Sequence, residues 1–175
     1  MPFSAWIQLA AASLTIVLLI AAGVTDITRY RIPNAIVCAI VAVFLVGALF
    51  NLSWPVLGWS AAAALGMFLL GAGLFALRLF GGGDVKLIAA MALWTSAPSD
   101  LLRFLLVMSV AGGLLGTVWL VRRRRQHAAM ANGSTSEQRK LPNKIPYGVA
   151  IAVAGLDFFL TSPHSPFAAL LPWAS

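Results

Sequence analysis

Residues 5–24 read AWIQLAAASLTIVLLIAAGV, twenty consecutive positions without a charge. A bilayer core about 30 Å thick takes about 20 residues of helix to cross, so this stretch has the length and apolarity of a membrane span. Comparable apolar blocks follow at 35–50, 56–77, 101–121 and 146–160, with a shorter one at 85–97. Across all 175 residues, 61% are hydrophobic and only 10% charged. A soluble domain carries about 25% charged residues, so too little polar surface remains here to cover a compact core. That excludes a soluble enzyme or a nucleic-acid-binding domain. The expected fold is all-α, a polytopic bundle of six transmembrane helices at these six blocks, forming one integral-membrane domain over 1–175. The first block has no basic residue before it. It lacks the charged start of a secretory signal peptide and is expected to persist as an uncleaved span.

The charges report topology. Net charge is +7 and the pI is near 10.9, but no alternation of basic and aromatic residues marks a nucleic-acid groove. No nucleic-acid partner is expected. If the N-terminus is outside, the segments 25–34, 78–86 and 122–145 face the cytoplasm. They hold eleven of the twelve Lys and Arg residues, leaving only Arg103 on the other side. This positive-inside asymmetry predicts an N-out, C-out chain with a flexible basic cytoplasmic loop at 122–145. Arg122–Arg125 then read as an anchor that also touches anionic membrane lipids. Gly112 and Gly116 in one block, and Ala62 and Gly66 in another, are small-residue steps of the kind that let membrane helices approach closely. Cys38 is the sole cysteine, which rules out an intrachain disulfide or a cysteine-only metal site. It is expected to be a buried, inert thiol.

Only five acidic residues are present: Asp26, Asp84, Asp100, Glu137 and Asp157. Asp100 and Glu137 fall in segments expected to be solvated loops. Asp157 sits inside the last block towards the outer side and calls for a polar partner or an interfacial position. Asp26 closes the first block and Asp84 opens the fourth, both at the expected cytoplasmic face. Ionisable groups in such places are costly and are functional candidates. The 85–97 block spans roughly 20 Å at about 1.5 Å per residue, short of the bilayer core. Asp84 is therefore expected below the membrane surface in a water-accessible cavity, preceded by irregular backbone at Gly81, Gly82 and Gly83.

Two carboxylates in a low-dielectric site share a proton, giving an acid beside a base. That pair can activate water and protonate a leaving amine. Other proteolytic chemistries lack their residues: there is no HExxH, no Gly-x-Ser-Gly, and no histidine partner for Cys38. His127 and His164 fall on opposite sides of the expected membrane. The residues by themselves leave three readings open: an aspartyl peptidase, an ion- or proton-coupled transporter using Asp26 and Asp84, or a structural subunit.

Gly81-Gly82-Gly83-Asp84-Val85-Lys86-Leu87 resembles the GxGD motif of type IV prepilin peptidases. Asp26 with Arg31-Ile32-Pro33-Asn34 resembles that family's first aspartate and its downstream Ile-Pro-Asn. Pro146-Tyr147-Gly148 resembles its Pro-Tyr-Gly at the start of a late span. The three motifs occur in order, and the likeness covers about residues 5–160. The resemblance implies an endopeptidase of the bacterial inner membrane, with its active site at the cytoplasmic face. It would remove the basic leader of prepilins or pseudopilins after a glycine, with Asp26 and Asp84 as the catalytic pair and no cofactor. By the same resemblance Gly81 and Gly83 set active-site geometry, and Arg31, Pro33 and Asn34 shape the turn beside Asp26. Lys86 contributes charge to the site or to topology, and Pro146, Tyr147 and Gly148 pack around it. Longer members carry a zinc-binding CxxC insertion after the first span and also methylate the mature pilin. Only ten residues separate the first two blocks here, so that metal site is absent and methylation is left open. The compact form resembles the dedicated peptidases of tight-adherence (Flp) pilus systems. Oligomeric state is not indicated.

Overall fold

The computed structural model describes residues 3–51, 53–131 and 145–168. Most of the basic loop, with Glu137, lies outside the described residues, as does the side chain of His127. Six helices make up the described chain: α1 (Phe3–Arg29), α2 (Asn34–Asn51), α3 (Trp54–Ala76), α4 (Gly82–Ala92), α5 (Pro98–Ala131) and α6 (Tyr147–Thr161). Three helical stretches, Phe3–Arg29, Trp54–Ala76 and Pro98–Gln126, are long and apolar enough to cross a membrane, and α2 and α6 are shorter apolar helices.

The two shortest helices lie at the centre. α4 packs on α2, α3 and α6, while α6 packs on α1, α4 and α5. Hydrocarbon solvates leucine as well as a protein core does, so membrane helices associate through close van der Waals packing and not through the hydrophobic effect. α6 accordingly presents small residues at its contacts. A Cβ at Gly155 would lie 2.6 Å from Leu19 Cδ1 and 3.1 Å from Met91 Cε, and Gly23 of α1 faces Ala152. Gly71 of α3 likewise admits Val85, whose Cγ1 would be 2.7 Å from an added Cβ. Aromatic side chains close the far end of the core, where Trp94 meets Phe44 and Phe159 edge-on at 5.6 and 5.2 Å.

Several sequence expectations are corrected. α5 does not stop at Val121 but stays helical through Arg122–Arg125 to Ala131, with Arg123 stacked 5.0 Å from the Trp119 ring. α4 begins three residues before the 85–97 block and stops five residues short of its end, so Gly82 and Gly83 are helical and only Gly81 is extended. Cys38 is exposed on the outside of α2. Ala62 and Gly66 face outwards too, and nothing lies within 4 Å of a Cβ at Gly66. Gly112 does face α6, where an added Cβ would meet Tyr147 and Ala150 at ordinary contact distances of 3.5 and 3.8 Å.

Asp100 is the largest departure. It is 3% exposed, not solvated. Its carboxylate accepts bonds from the Ser96 amide (3.2 Å) and the Ser162 hydroxyl (3.0 Å), and lies 3.0 Å from His164 Nδ1. These contacts clasp the α4–α5 turn to the segment after α6. Nearby, Arg103 pairs with Asp157 at 3.0 Å, which supplies the polar partner Asp157 required.

Candidate active site

The other end of the bundle gathers all three motif segments. α1 ends one turn past Asp26, where the Tyr30 amide donates to the Asp26 carbonyl at 2.9 Å. Tyr30 takes a left-handed conformation (φ 51°) that turns the chain out of the helix. The following Arg31 and Pro33 are exposed, whereas Ile32 is buried against α4. Pro33 accepts the Ile36 amide and so opens α2. Asn34, the first residue of α2, accepts a hydrogen bond from Lys86 Nζ at 3.1 Å. The turn beside Asp26 is thereby fastened to the helix that carries Asp84.

Asp26 is buried, at 6% exposure. Its Oδ2 accepts a 2.7 Å hydrogen bond from the amide of Gly148. Pro146 is the N-cap of α6, so Gly148 is in the first turn, where amides have no intrahelical acceptor. A carboxylate at a helix N-terminus satisfies such a donor and meets the positive end of the helix dipole. The contact also explains the residue type. A Cβ at position 148 would fall 2.8 Å from Asp26 Oδ2 and 3.0 Å from its Cγ. Any residue larger than glycine displaces the carboxylate or the helix.

Asp84 is buried in the first turn of α4. A Cβ at Gly81 would lie 2.7 Å from Asp84 Oδ2, and one at Gly83 would lie 3.2 Å from Ile32 Cβ. At the intervening Gly82 the nearest atom is a Phe75 ring carbon at 3.4 Å, an ordinary contact. The spacing of the two tight glycines thus has a steric basis. Gly81 makes room for the carboxylate, and Gly83 makes room for Ile32 in the turn after α1. Phe80, just before Gly81, stacks on Tyr147 with centroids 5.5 Å apart and planes 24° apart. Through Ile32–Gly83, Asn34–Lys86, Asp26–Gly148 and Phe80–Tyr147, segments far apart in sequence converge on one place. Among the described residues no cluster of three or more His, Cys, Asp or Glu could hold a metal.

A profile of the type IV leader peptidase family matches residues 13–117, more than half the chain. The chain belongs to the type IV leader peptidase family. A curated relative, the prepilin leader peptidase/N-methyltransferase of Xanthomonas campestris pv. campestris, is 27% identical over 147 residues. The aligned part is 81% of this chain and 46% of that protein, so the chain spans about half the length of the relative it matches. No solved structure matches. Both Asp26 and Asp84 lie inside the family match, whereas Pro146–Gly148 lie beyond its end. The Gly148 amide nonetheless makes the closest contact described for Asp26. Ile32 and Phe80 were missed as site-building residues in the sequence. Ile32 stands within the Ile-Pro-Asn motif and was legible there, but nothing local to Phe80 announces its ring partner.

Proposed function

We propose that this family member is a membrane-embedded aspartyl endopeptidase that removes the basic leader from type IV prepilins or pseudopilins, with Asp26 and Asp84 as its catalytic residues. The observation that carries the proposal is the burial of both carboxylates in motif segments that pack together at one end of the bundle. In the reaction, one carboxylate takes a proton from a water molecule as its oxygen attacks the scissile carbonyl. The other, protonated, donates its proton to the departing amine as the carbon–nitrogen bond breaks, and the pair is reset by proton exchange. Gly148 holds Asp26 in place through its amide. Gly81 and Gly83 give Asp84 and Ile32 their space, and the Lys86–Asn34 bond fixes one motif segment against another.

The finer reading is a dedicated peptidase of tight-adherence (Flp) pili, supported by the short connection between the first two helices and the single cysteine. It has six spans in the inner membrane, N-out and C-out, with the carboxylates at the cytoplasmic face. The basic residues at 29, 31, 78, 86 and 122–125 support that orientation, and Arg122–Arg125 also contact anionic lipid. Cleavage falls after a glycine at the cytoplasmic edge of the substrate helix. The peptidase match lends no support to the transporter reading. Incubation of the purified protein in detergent with a prepilin, followed by N-terminal sequencing of the product, tests the proposal. The expected product starts just after a glycine at the leader junction. Intact substrate across several prepilins, with folded enzyme, contradicts it.

A further inference from the structure

The polar clasp at the far end of the bundle ties down the same helix that touches Asp26. Ser162 closes α6 as its C-cap, and its hydroxyl donates to Asp100 Oδ1 at 3.0 Å while accepting the His164 amide at 3.2 Å. Asp100 Oδ2 accepts the Ser96 amide at 3.2 Å, so one carboxylate also holds the turn that follows α4. Ser162 and Asp100 are both buried, which shields these bonds from water. Between the ends of α6, the tightest packing is at Gly155, pinched between Leu19 of α1 and Met91 of α4. Gly148, whose amide bonds Asp26 at 2.7 Å, and Ser162 each lie seven residues from that point.

Two arms of about 10 Å each, at about 1.5 Å of rise per residue, make α6 a lever with its pivot at Gly155. A displacement at Ser162 returns at Gly148 with the same size and the opposite sense. The inner arm has room to swing, since a gap of about 290 Å³ separates it from α5 at Tyr147 and Ile151. The outer arm is otherwise held by the packing of Phe158 and Phe159, the latter edge-on to Trp94 at 5.2 Å, and by the partly exposed Arg103–Asp157 pair. Apolar contacts tolerate small slides, and an ion pair open to solvent contributes little. The hydrogen bonds of the clasp fix a distance. We propose that Asp100 and Ser162 are positioning residues of the peptidase, acting through α6 to keep the Gly148 amide on the Asp26 carboxylate. The inference rests on the peptidase reading above and adds two residues at the opposite end of the bundle that set its geometry. A misplacement of about 1 Å at reacting groups costs on the order of a hundredfold in rate, so sub-ångström freedom at the clasp is enough to be felt at Asp26.

A double-mutant cycle tests the lever. Asp100→Ala and Ser162→Ala, assayed on a prepilin in detergent per folded molecule, should each lower kcat by about ten- to a hundredfold with KM unchanged. Ile40→Ala on α2 is the control, because that side chain is fully buried and α2 packs on α1 and α4. It should lower the unfolding midpoint and keep the wild-type kcat. Asp100→Ala and Gly148→Ala disturb the same hydrogen bond, so adding the first to the second should cost nothing further. A readout without catalysis follows α6 itself. In a Cys38→Ser background, Gly23→Cys and Ala152→Cys face each other across α1 and the inner arm with Cβ atoms 3.5 Å apart, a spacing suited to a disulfide. Asp100→Ala should slow formation of that disulfide severalfold, and Ile40→Ala should not. Ser162→Ala, which removes one bond of the clasp, carries every arm if Asp100→Ala does not fold. Wild-type kcat in the clasp variants, a loss that multiplies with that of Gly148→Ala, or unchanged disulfide formation overturns the lever and leaves the peptidase intact. Absence of cleavage by wild type on several prepilins removes the peptidase reading, and the disulfide rates then decide the lever alone.

Discussion

Gly148→Ala separates the geometry of the site from the stability of the bundle. The added methyl would sit 2.8 Å from Asp26 Oδ2 and 3.0 Å from both its Cγ and Cβ. Contacts that short force the start of α6 and the carboxylate apart, and the 2.7 Å bond from the 148 amide is stretched or lost. A hydrogen bond to a charged group contributes about 1.5–3 kcal/mol. If that bond holds the reacting carboxylate in place, its loss lowers kcat by roughly ten- to a hundredfold, at about 1.4 kcal/mol per factor of ten. Helix propensity runs the other way, since alanine favours a helix over glycine by about 1 kcal/mol. Folding and activity should therefore diverge. The assay is cleavage of a co-expressed prepilin at matched membrane levels, with thermal unfolding in detergent measured alongside. Gly66→Ala, where nothing approaches within 4 Å, serves as the control and should cleave normally. Wild-type kcat in Gly148→Ala would refute the idea that the α6 amide positions Asp26.

The glycines before Asp84 should differ in the same assay: Gly81→Ala abolishes most cleavage because its methyl would meet the Asp84 carboxylate at 2.7 Å, whereas Gly82→Ala retains most of it. Equal losses at the two positions would contradict the steric account. Asp100→Ala leaves the buried Ser162 hydroxyl and the Ser96 amide without their acceptor, and should lower stability by about 1–3 kcal/mol. A lowered unfolding midpoint in detergent reads this out, and an unchanged one would show that the clasp contributes nothing. Reporter fusions test the orientation: a periplasm-active phosphatase should work at the C-terminus and fail when placed after Arg78. The reverse pattern would invert the proposed topology.

The proposed catalytic pair is legible because charge is rare in this chain. Five acids among long apolar blocks leave few places for proton chemistry, and Asp26 and Asp84 stood at block ends. The helix starting at 147 was also readable, since Pro146 ends a polar stretch and an apolar run follows. Other features depend on contacts across the chain that no local pattern carries. The Gly148 amide reaches an acid 122 positions away. Pro98-Ser99-Asp100 reads as an exposed break, yet the partners that bury Asp100 arrive from positions 162 and 164. Cys38 and Gly66 were misplaced for a different reason. Membrane helices are apolar on the lipid side as well as the protein side, so composition does not say which face turns inwards. The helical stretch 122–131 was hidden by its polarity. Arg, Gln, Ala and Met are nonetheless strong helix formers, and α5 continues through them.

The most direct measurement compares wild type with Asp26→Asn and Asp84→Asn for leader removal from one co-expressed prepilin, at equal membrane expression. Asparagine keeps the shape of each side chain and removes its ability to exchange a proton. The two-carboxylate mechanism predicts leader loss in wild type and none in either variant. Cleavage at the wild-type rate by either one would take that aspartate out of the catalytic pair and contradict the mechanism.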